Sequence, residues 1–390
     1  MRRKAIIPLA LMICLWGTRL LAVDLNSRTS AITYATADGV QHVWLFATSA
    51  TNLYAASSDA NWTWMDLGQP PSGRGISVPS AITYRDRSGG QVFAVFVTTD
   101  DGHLLVNAKS YLPGSIWQWQ DLGVPEGAYS VDEPIAITYV DAAGITQVRV
   151  FVDGPTVAGV RLLFAAAWYN FDWQWFQLGT LWPARDFRSP SAVSYHDRFG
   201  DHSRVFVASD IDHLLGAAWD GGWTWTWYDL TQTNPLRIVA PKPVAYVDYD
   251  GYAQIQVFAL ARNGHLVLDA WYGYFWSWSD LGRAPTASAI QSDPMPISWS
   301  SFGINGVEVF LTTEDGHLFA DTWDDDSWEW RWFDMGLGMG TTAVRDPTPI
   351  SYWTASGVMN VLVFAQGSNG NMLVDVWDGT SWNWNDLGQP

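Results

Sequence analysis

Pro296-Ile-Ser-Trp299, Glu314-Asp-Gly-His-Leu318, Trp323-Asp-Asp325 and Trp330-Arg-Trp-Phe-Asp334 follow one another within residues 296–334, and the same succession returns along the whole chain. The first signature has six counterparts: Ala31-Ile-Thr-Tyr34, Ala81-Ile-Thr-Tyr84, Ala136-Ile-Thr-Tyr139, Ala192-Val-Ser-Tyr195, Pro243-Val-Ala-Tyr246 and Pro349-Ile-Ser-Tyr352. Their aromatic ends stand at 34, 84, 139, 195, 246, 299 and 352, so copies recur every 50 to 56 residues. A period of that size marks a repeat architecture and overrides the two or three domains that 390 residues would otherwise suggest. Glycine follows each signature (Gly39, Gly89, Gly144, Gly200, Gly251, Gly303, Gly357), where its tolerance of positive φ suits a hairpin turn.

Working outward, each copy then offers a second strand at Phe46, Phe96, Phe151, Phe206, Phe258, Phe310 or Phe364. A third strand opens most clearly at Asp101-Gly-His-Leu104, Asn263-Gly-His-Leu266 and Asp315-Gly-His-Leu318. A fourth carries Trp-x-Trp, from Trp62/Trp64 through Trp225/Trp227 to Trp382/Trp384, and usually closes in Asp-Leu-Gly. Four short strands and three turns describe one propeller blade. Helical periodicity is absent, and the rungs of a β-solenoid are shorter than these units. The expectation is an all-β, seven-bladed β-propeller with about four antiparallel strands per blade. Its repeats would span 30–70, 80–125, 134–183, 190–235, 241–285, 294–340 and 347–390 of a single domain covering 23–390.

Composition narrows the function. Twenty-six tryptophans and 15% aromatic residues are incompatible with a disordered chain, and a formal charge of −18 repels nucleic acid and anionic membranes. Arg2, Arg3 and Lys4 followed by the apolar run Ala5–Trp16 read as a secretory signal ending near Ala22. That run is shorter than the roughly 20 residues a spanning helix needs. A secreted or periplasmic protein without membrane insertion is expected. Loss of residues 1–22 removes four basic side chains and takes the formal charge to −22. The only cysteine, Cys14, lies inside this segment, so neither disulfides nor thiol chemistry is expected in the mature chain.

Polar and aromatic residues alternate most clearly in the third strand. In the fifth copy His265, Asp269 and Trp271 share one face, in the sixth His317, Asp321 and Trp323, and in the seventh Asn371, Asp375 and Trp377. The fourth copy keeps His213 and Trp219, and the second keeps His103 and Asn107. Two readings stay open: these are polar and stacking groups for a bound ligand, or turn-closing and packing groups at blade edges. A catalytic His–Asp pair within one strand fails on reach, since four residues of strand span roughly 13 Å. The Trp-x-Trp pairs, present in every copy, are expected between blades as core. No metal or cofactor is expected; calcium at Asp248-Tyr-Asp-Gly251 or Asp324-Asp-Asp326 is a minor alternative, because the full calcium-loop spacing is missing. The irregular linker Arg185-Asp-Phe-Arg188 shows no catalytic signature beside it.

Val-Phe, Asp-Gly-His-Leu, Trp-Asp-Gly and Trp-x-Trp-x-Asp-Leu-Gly in this order resemble the repeat of the PLL-like seven-bladed propeller lectins of bacteria, over all seven units. Glu314–Leu318 with Trp323 and Trp330–Asp334, and Asn369–Leu373 with Trp377, carry the resemblance best. It implies shallow sugar sites at blade interfaces, with fucose and O-methylated sugars as typical ligands. Copies one and three lose the Asp-Gly-x-Leu opening (Val157-Ala-Gly-Val-Arg161 replaces it in copy three), so weak or absent binding is expected there. The resulting expectation is a multivalent secreted lectin with glycans or glycoconjugates as partners, not an enzyme; a homo-oligomer is left open. The alternatives are a protein-interaction platform and a polysaccharide-acting glycosidase or lyase.

Overall fold

A computed structural model describes residues 23–390, apart from 27, 37, 72–74, 142, 170–171, 180, 182–183, 185, 221–223, 232–237, 274, 286–288, 302 and 355. The proposed signal segment 1–22, with Cys14, lies outside the described residues, as does Arg185.

Among the described residues, twenty-eight strands form seven four-stranded antiparallel sheets, each from four consecutive strands. The sixth repeat shows the plan: Met295–Ser301, Ile304–Thr312, Leu318–Asp324 and Arg331–Gly336. The signature glycines sit in the first hairpin turns with φ between +75° and +119°, a region that side chains rarely enter.

First strands of neighbouring blades lie side by side around the axis. Ser30 Oγ accepts from the amide of Ala81 at 2.9 Å, and Ser80 Oγ accepts from that of Ala136 at 2.9 Å. Ser194, Ser298 and Ser351 donate to Thr138, Ala245 and Ser298 carbonyls respectively. Serine in the signature of the fourth, sixth and seventh copies, and serine just before it in the first two, thus stitches neighbouring blades together. Arg28 crosses one mouth of the axis to reach Glu133 at 3.4 Å and Asp293 at 3.2 Å, while Lys242 meets Asp293 at 3.5 Å.

The core sits between blades. All seven second-strand phenylalanines have zero exposure, and each receives the edge of the first Trp-x-Trp indole of the next repeat. The pairs run from Phe46–Trp117 at 5.7 Å to Phe310–Trp382 at 6.1 Å, and Phe364–Trp62 at 5.4 Å joins the last repeat to the first. Edge-on pairs match the positive ring edge to the negative ring face. Closure needs no shared strand: Thr29 with Thr348, Gln366 with the Leu25 carbonyl and the Trp62–Phe364 pair complete it.

Part of the irregular linker is strand and not connection. Phe187 opens the first strand of the fourth blade, Phe187–Asp197, and is fully buried, stacked 5.0 Å from Trp227. A β-bulge between Arg188 and Ser191 disguises this longer strand in the sequence.

Candidate inter-blade sugar site

The second indole of each Trp-x-Trp points across the blade boundary. Its Nε1 donates to a carbonyl at the end of the preceding blade's fourth strand in six of the seven repeats: Trp64 to Leu387, Trp175 to Leu122, Trp227 to Leu178, Trp278 to Leu230, Trp332 to Leu281 and Trp384 to Met335. In the second blade Asn107 Nδ2 takes the Leu67 carbonyl instead, at 3.4 Å, and Trp119 Nε1 is left without a partner among the described residues. These indoles latch blades together.

The third-strand residues divide into three groups. His103, His213, His265 and His317 each bond through Nδ1 to the closing Asp of their own fourth strand: Asp121, Asp229, Asp280 and Asp334, at 2.7 to 3.1 Å. Asn371 does the same with Asp386, and Asn52 with Asp66. The same carboxylates accept amides from the turn, as Asp334 does from Gly336 at 2.8 Å. Half-exposed pairs of this kind hold two strand ends together.

Asp269, Asp321 and Asp375 lie deeper than a rim position. Their exposure is 1% or less, and Asn107 is equally covered. No hydrogen bond reaches either carboxyl oxygen of Asp269 or Asp321 from any described residue. Burial pushes Asp269 up to about 8, and Asp321 and Asp375 up to about 7. Strand alternation reports which face a residue occupies but not its depth, and the interface covers this face completely at these positions.

The strand-ending tryptophans are half-buried at the clefts. Trp271 and Trp377 rest against the first fourth-strand indoles Trp276 and Trp382, at 5.6 and 5.8 Å. Trp323 lies 6.3 Å from Tyr246 of the preceding blade, and Trp219 lies 4.9 Å from Tyr139. At these two boundaries the signature tyrosine of one blade and the third-strand tryptophan of the next therefore pack against each other across the blade junction.

A cleft of about 560 Å³ lies between blades three and four. Trp168, Trp219, Trp225 and Tyr139 supply aromatic surface, and Gln147 and Gln177 supply amides. Ala165 and Ala167, small residues on its wall, leave the space open. Arg149 also lines it, with its guanidinium 4.0 Å from the Trp219 ring centre and 4.5 Å from that of Tyr139. Sequence reasoning on the third strand missed Arg149. The available signal was the position two residues before each core phenylalanine, which reads Trp44, Ala94, Arg149, Arg204, Gln256, Glu308 and Leu362. Charge in the middle of a buried strand is the anomaly.

Asp248 and Asp324, the first aspartates of the two turns considered for calcium, are engaged by the chain itself. Asp248 accepts amides of Asp250 and Tyr252 and the side chain of Gln254, and Asp324 accepts amides of Asp326 and Ser327. No group of three or more metal-ligating side chains occurs among the described residues.

No family model matches the chain, and no curated protein does. Among solved structures, the BP39L lectin from Burkholderia pseudomallei is 16% identical and superposes with a TM-score of 0.64, covering 92% of this chain and 98% of its own. The six-bladed Aleuria aurantia lectin, described with a fucose recognition mode, is 15% identical with a TM-score of 0.52 over 94% and 99% of the two chains. AofleA from Arthrobotrys oligospora is 14% identical, with a TM-score of 0.51 over 80% and 86%. This chain has their propeller fold. At such identity the likeness is one of architecture, and the propeller here has seven blades where the Aleuria lectin has six.

Proposed function

We propose that this propeller is a carbohydrate-binding protein, a lectin whose sugars lodge in the clefts between neighbouring blades. One observation carries the reading: the cleft between blades three and four has indole walls, side-chain amides and a guanidinium around an open space. An indole face complements the C–H face of a pyranose, while amides and guanidinium groups bond its hydroxyls. The fold likeness to propeller lectins supports this assignment, and fucose, named in the Aleuria structure's description, is the first neutral sugar to test. Secretion through the N-terminal segment, display of several sites for avidity and the absence of enzymatic activity belong to the same proposal.

The test is a glycan array probed with purified residues 23–390, with and without calcium. Binding to a defined sugar class, competed by the free monosaccharide, is the expected result. A blank array from folded protein overturns the lectin reading and favours a protein partner on the same rim. Release of reducing ends from a polysaccharide would instead establish an enzyme.

A further inference from the structure

The seven blade boundaries are alike in backbone and unlike in charge. At the second-strand position facing each boundary, Trp44 packs on Phe46 and Phe93, and Leu362 joins an apolar cluster. Arg204 is neutralised: its guanidinium bonds Asp220 at 2.7 Å and the carbonyls of Ser203 and Trp219. Glu308 is half-buried with one carboxyl oxygen sealed and without a partner among the described residues, and desolvation pushes its carboxyl up to about 7.

Arg149 is different from all of these. Its guanidinium packs against the rings of both Tyr139 and Trp219, which are themselves 4.9 Å apart, with Trp225 5.5 Å away, and it makes no salt bridge to a described carboxylate. One of its terminal nitrogens is sealed from solvent and lacks a hydrogen-bond partner among the described residues. The nearby acids are held elsewhere: Asp141 by Gln147 at 2.7 Å, and Asp201 by His196 at 2.8 Å. Burial draws the Arg149 pKa below the usual arginine range, the mark of a cation without an anion. In a chain of formal charge −18, an uncompensated arginine in an open aromatic cleft is a conspicuous exception.

Resting on the sugar-binding reading, we propose that the cleft between blades three and four selects an acidic sugar, one whose carboxylate or sulfate pairs with Arg149 while its ring packs against Trp219. The planar fork of arginine matches a carboxylate in a two-bonded arrangement, and the flanking aromatic rings keep it oriented. Ala217 lies in the fourth blade where Asp269, Asp321 and Asp375 lie in theirs, so this boundary has no buried third-strand carboxyl group to oppose the anion. The seven boundaries are then not interchangeable, and acidic-sugar binding has a stoichiometry of one per chain.

The experiment is calorimetric titration of the full chain with methyl β-D-glucuronide, its neutral counterpart methyl β-D-glucoside, a sulfated monosaccharide and inorganic sulfate. Expected is binding of the glucuronide or the sulfated sugar about tenfold tighter than the glucoside, since charge-assisted hydrogen bonds are roughly twice as strong as neutral ones. The two acidic sugars distinguish carboxylate from sulfate as the preferred anion. Arg149→Gln should erase the preference and Arg204→Gln should leave it intact. The fold accepts the first change in principle, because the fifth blade already carries Gln256 at the corresponding position. Near-ultraviolet circular dichroism of Arg149→Gln, unchanged, shows that loss of preference is not loss of fold. Equal binding of acidic and neutral glycosides overturns the anion assignment and leaves the lectin reading standing. Sulfate binding without any glycoside overturns the cleft as a sugar site, and silence from all four probes overturns the assignment of any anion to Arg149.

Discussion

The indole Nε1 of Trp64 lies 3.0 Å from the carbonyl oxygen of Leu387, so the first and last repeats are joined by the same bond that joins five other pairs of blades. The contrast with Trp119, whose Nε1 has no described partner, makes a matched experiment. Trp64→Phe and Trp119→Phe remove similar surface, but only the first strands a carbonyl. Leaving a buried acceptor unpaired costs about 1–3 kcal/mol, so Trp64→Phe should lose that much more stability in urea denaturation. Equal losses would show that the latch contributes packing alone.

Buried carboxyl groups should give the propeller an acid-leaning stability profile. Asp269 is raised to about 8, and Asp321, Asp375 and Glu308 to about 7, each by burial. Because these folded pKa values lie above the unfolded ones near 4, the fold binds extra protons between the two limits. The stabilisation is full below about pH 4 and is lost as pH rises through 7 to 8, by up to roughly 1.4 kcal/mol per pH unit for each group. Asp321→Asn should flatten this slope, and Asn107 in the second blade shows that an amide fits the position. A melting temperature that stays level from pH 5 to pH 8 would contradict this account.

The histidine–aspartate pairs should matter little for either binding or stability. His317 and Asp334 are about one-third and two-fifths exposed, where solvent screens the pair. His317→Ala should cost below about 1 kcal/mol and leave glycan affinity unchanged. A large loss of glycan binding in this variant, with the fold intact, would restore histidine as a ligand contact.

Gly316 sits where its turn abuts the next blade. A Cβ added there would lie 2.4 Å from the Cβ of Ala343, and φ is already +81°. Gly316→Ala should therefore destabilise by about 2–4 kcal/mol, combining strain with overpacking. Gly303, with φ +84° and open space around it, is the control, and Gly303→Ala should cost only about 1 kcal/mol of conformational strain.

Trp219→Ala should weaken glycan binding at least about tenfold, as loss of an aromatic anchor does at the centre of other recognition surfaces. Tryptophan fluorescence of the wild-type chain, quenched on sugar addition, provides the independent readout. Retention of full affinity by the variant would move the site away from the cleft between blades three and four.

The strand plan was legible because every blade repeats the same demands: glycine at the hairpin, phenylalanine at the centre, paired tryptophans at the outer strand. Depth was not legible. His317 and Asp321 share a strand face in the sequence, yet one pairs with an exposed Asp334 while the other is sealed inside the boundary. Nor was the cleft legible, since Arg149 and Trp219 belong to different repeats and meet only when blades three and four pack together. The long first strand beginning at Phe187 was hidden by its bulge, which breaks the period-2 pattern on which strand recognition rests.

Closure through side chains rather than through a strand exchanged between the terminal repeats has a consequence for how such rings arise. The phenylalanine–tryptophan contact recurs at every joint, including that between Trp62 and Phe364, so this part of the coupling is common to all seven blades although their clefts differ in charge. Nothing in the coupling counts blades; only the wedge angle of each sheet does. A gene encoding one such unit could therefore lengthen by duplication, or begin at a different unit through circular permutation, and still specify a ring that closes upon itself.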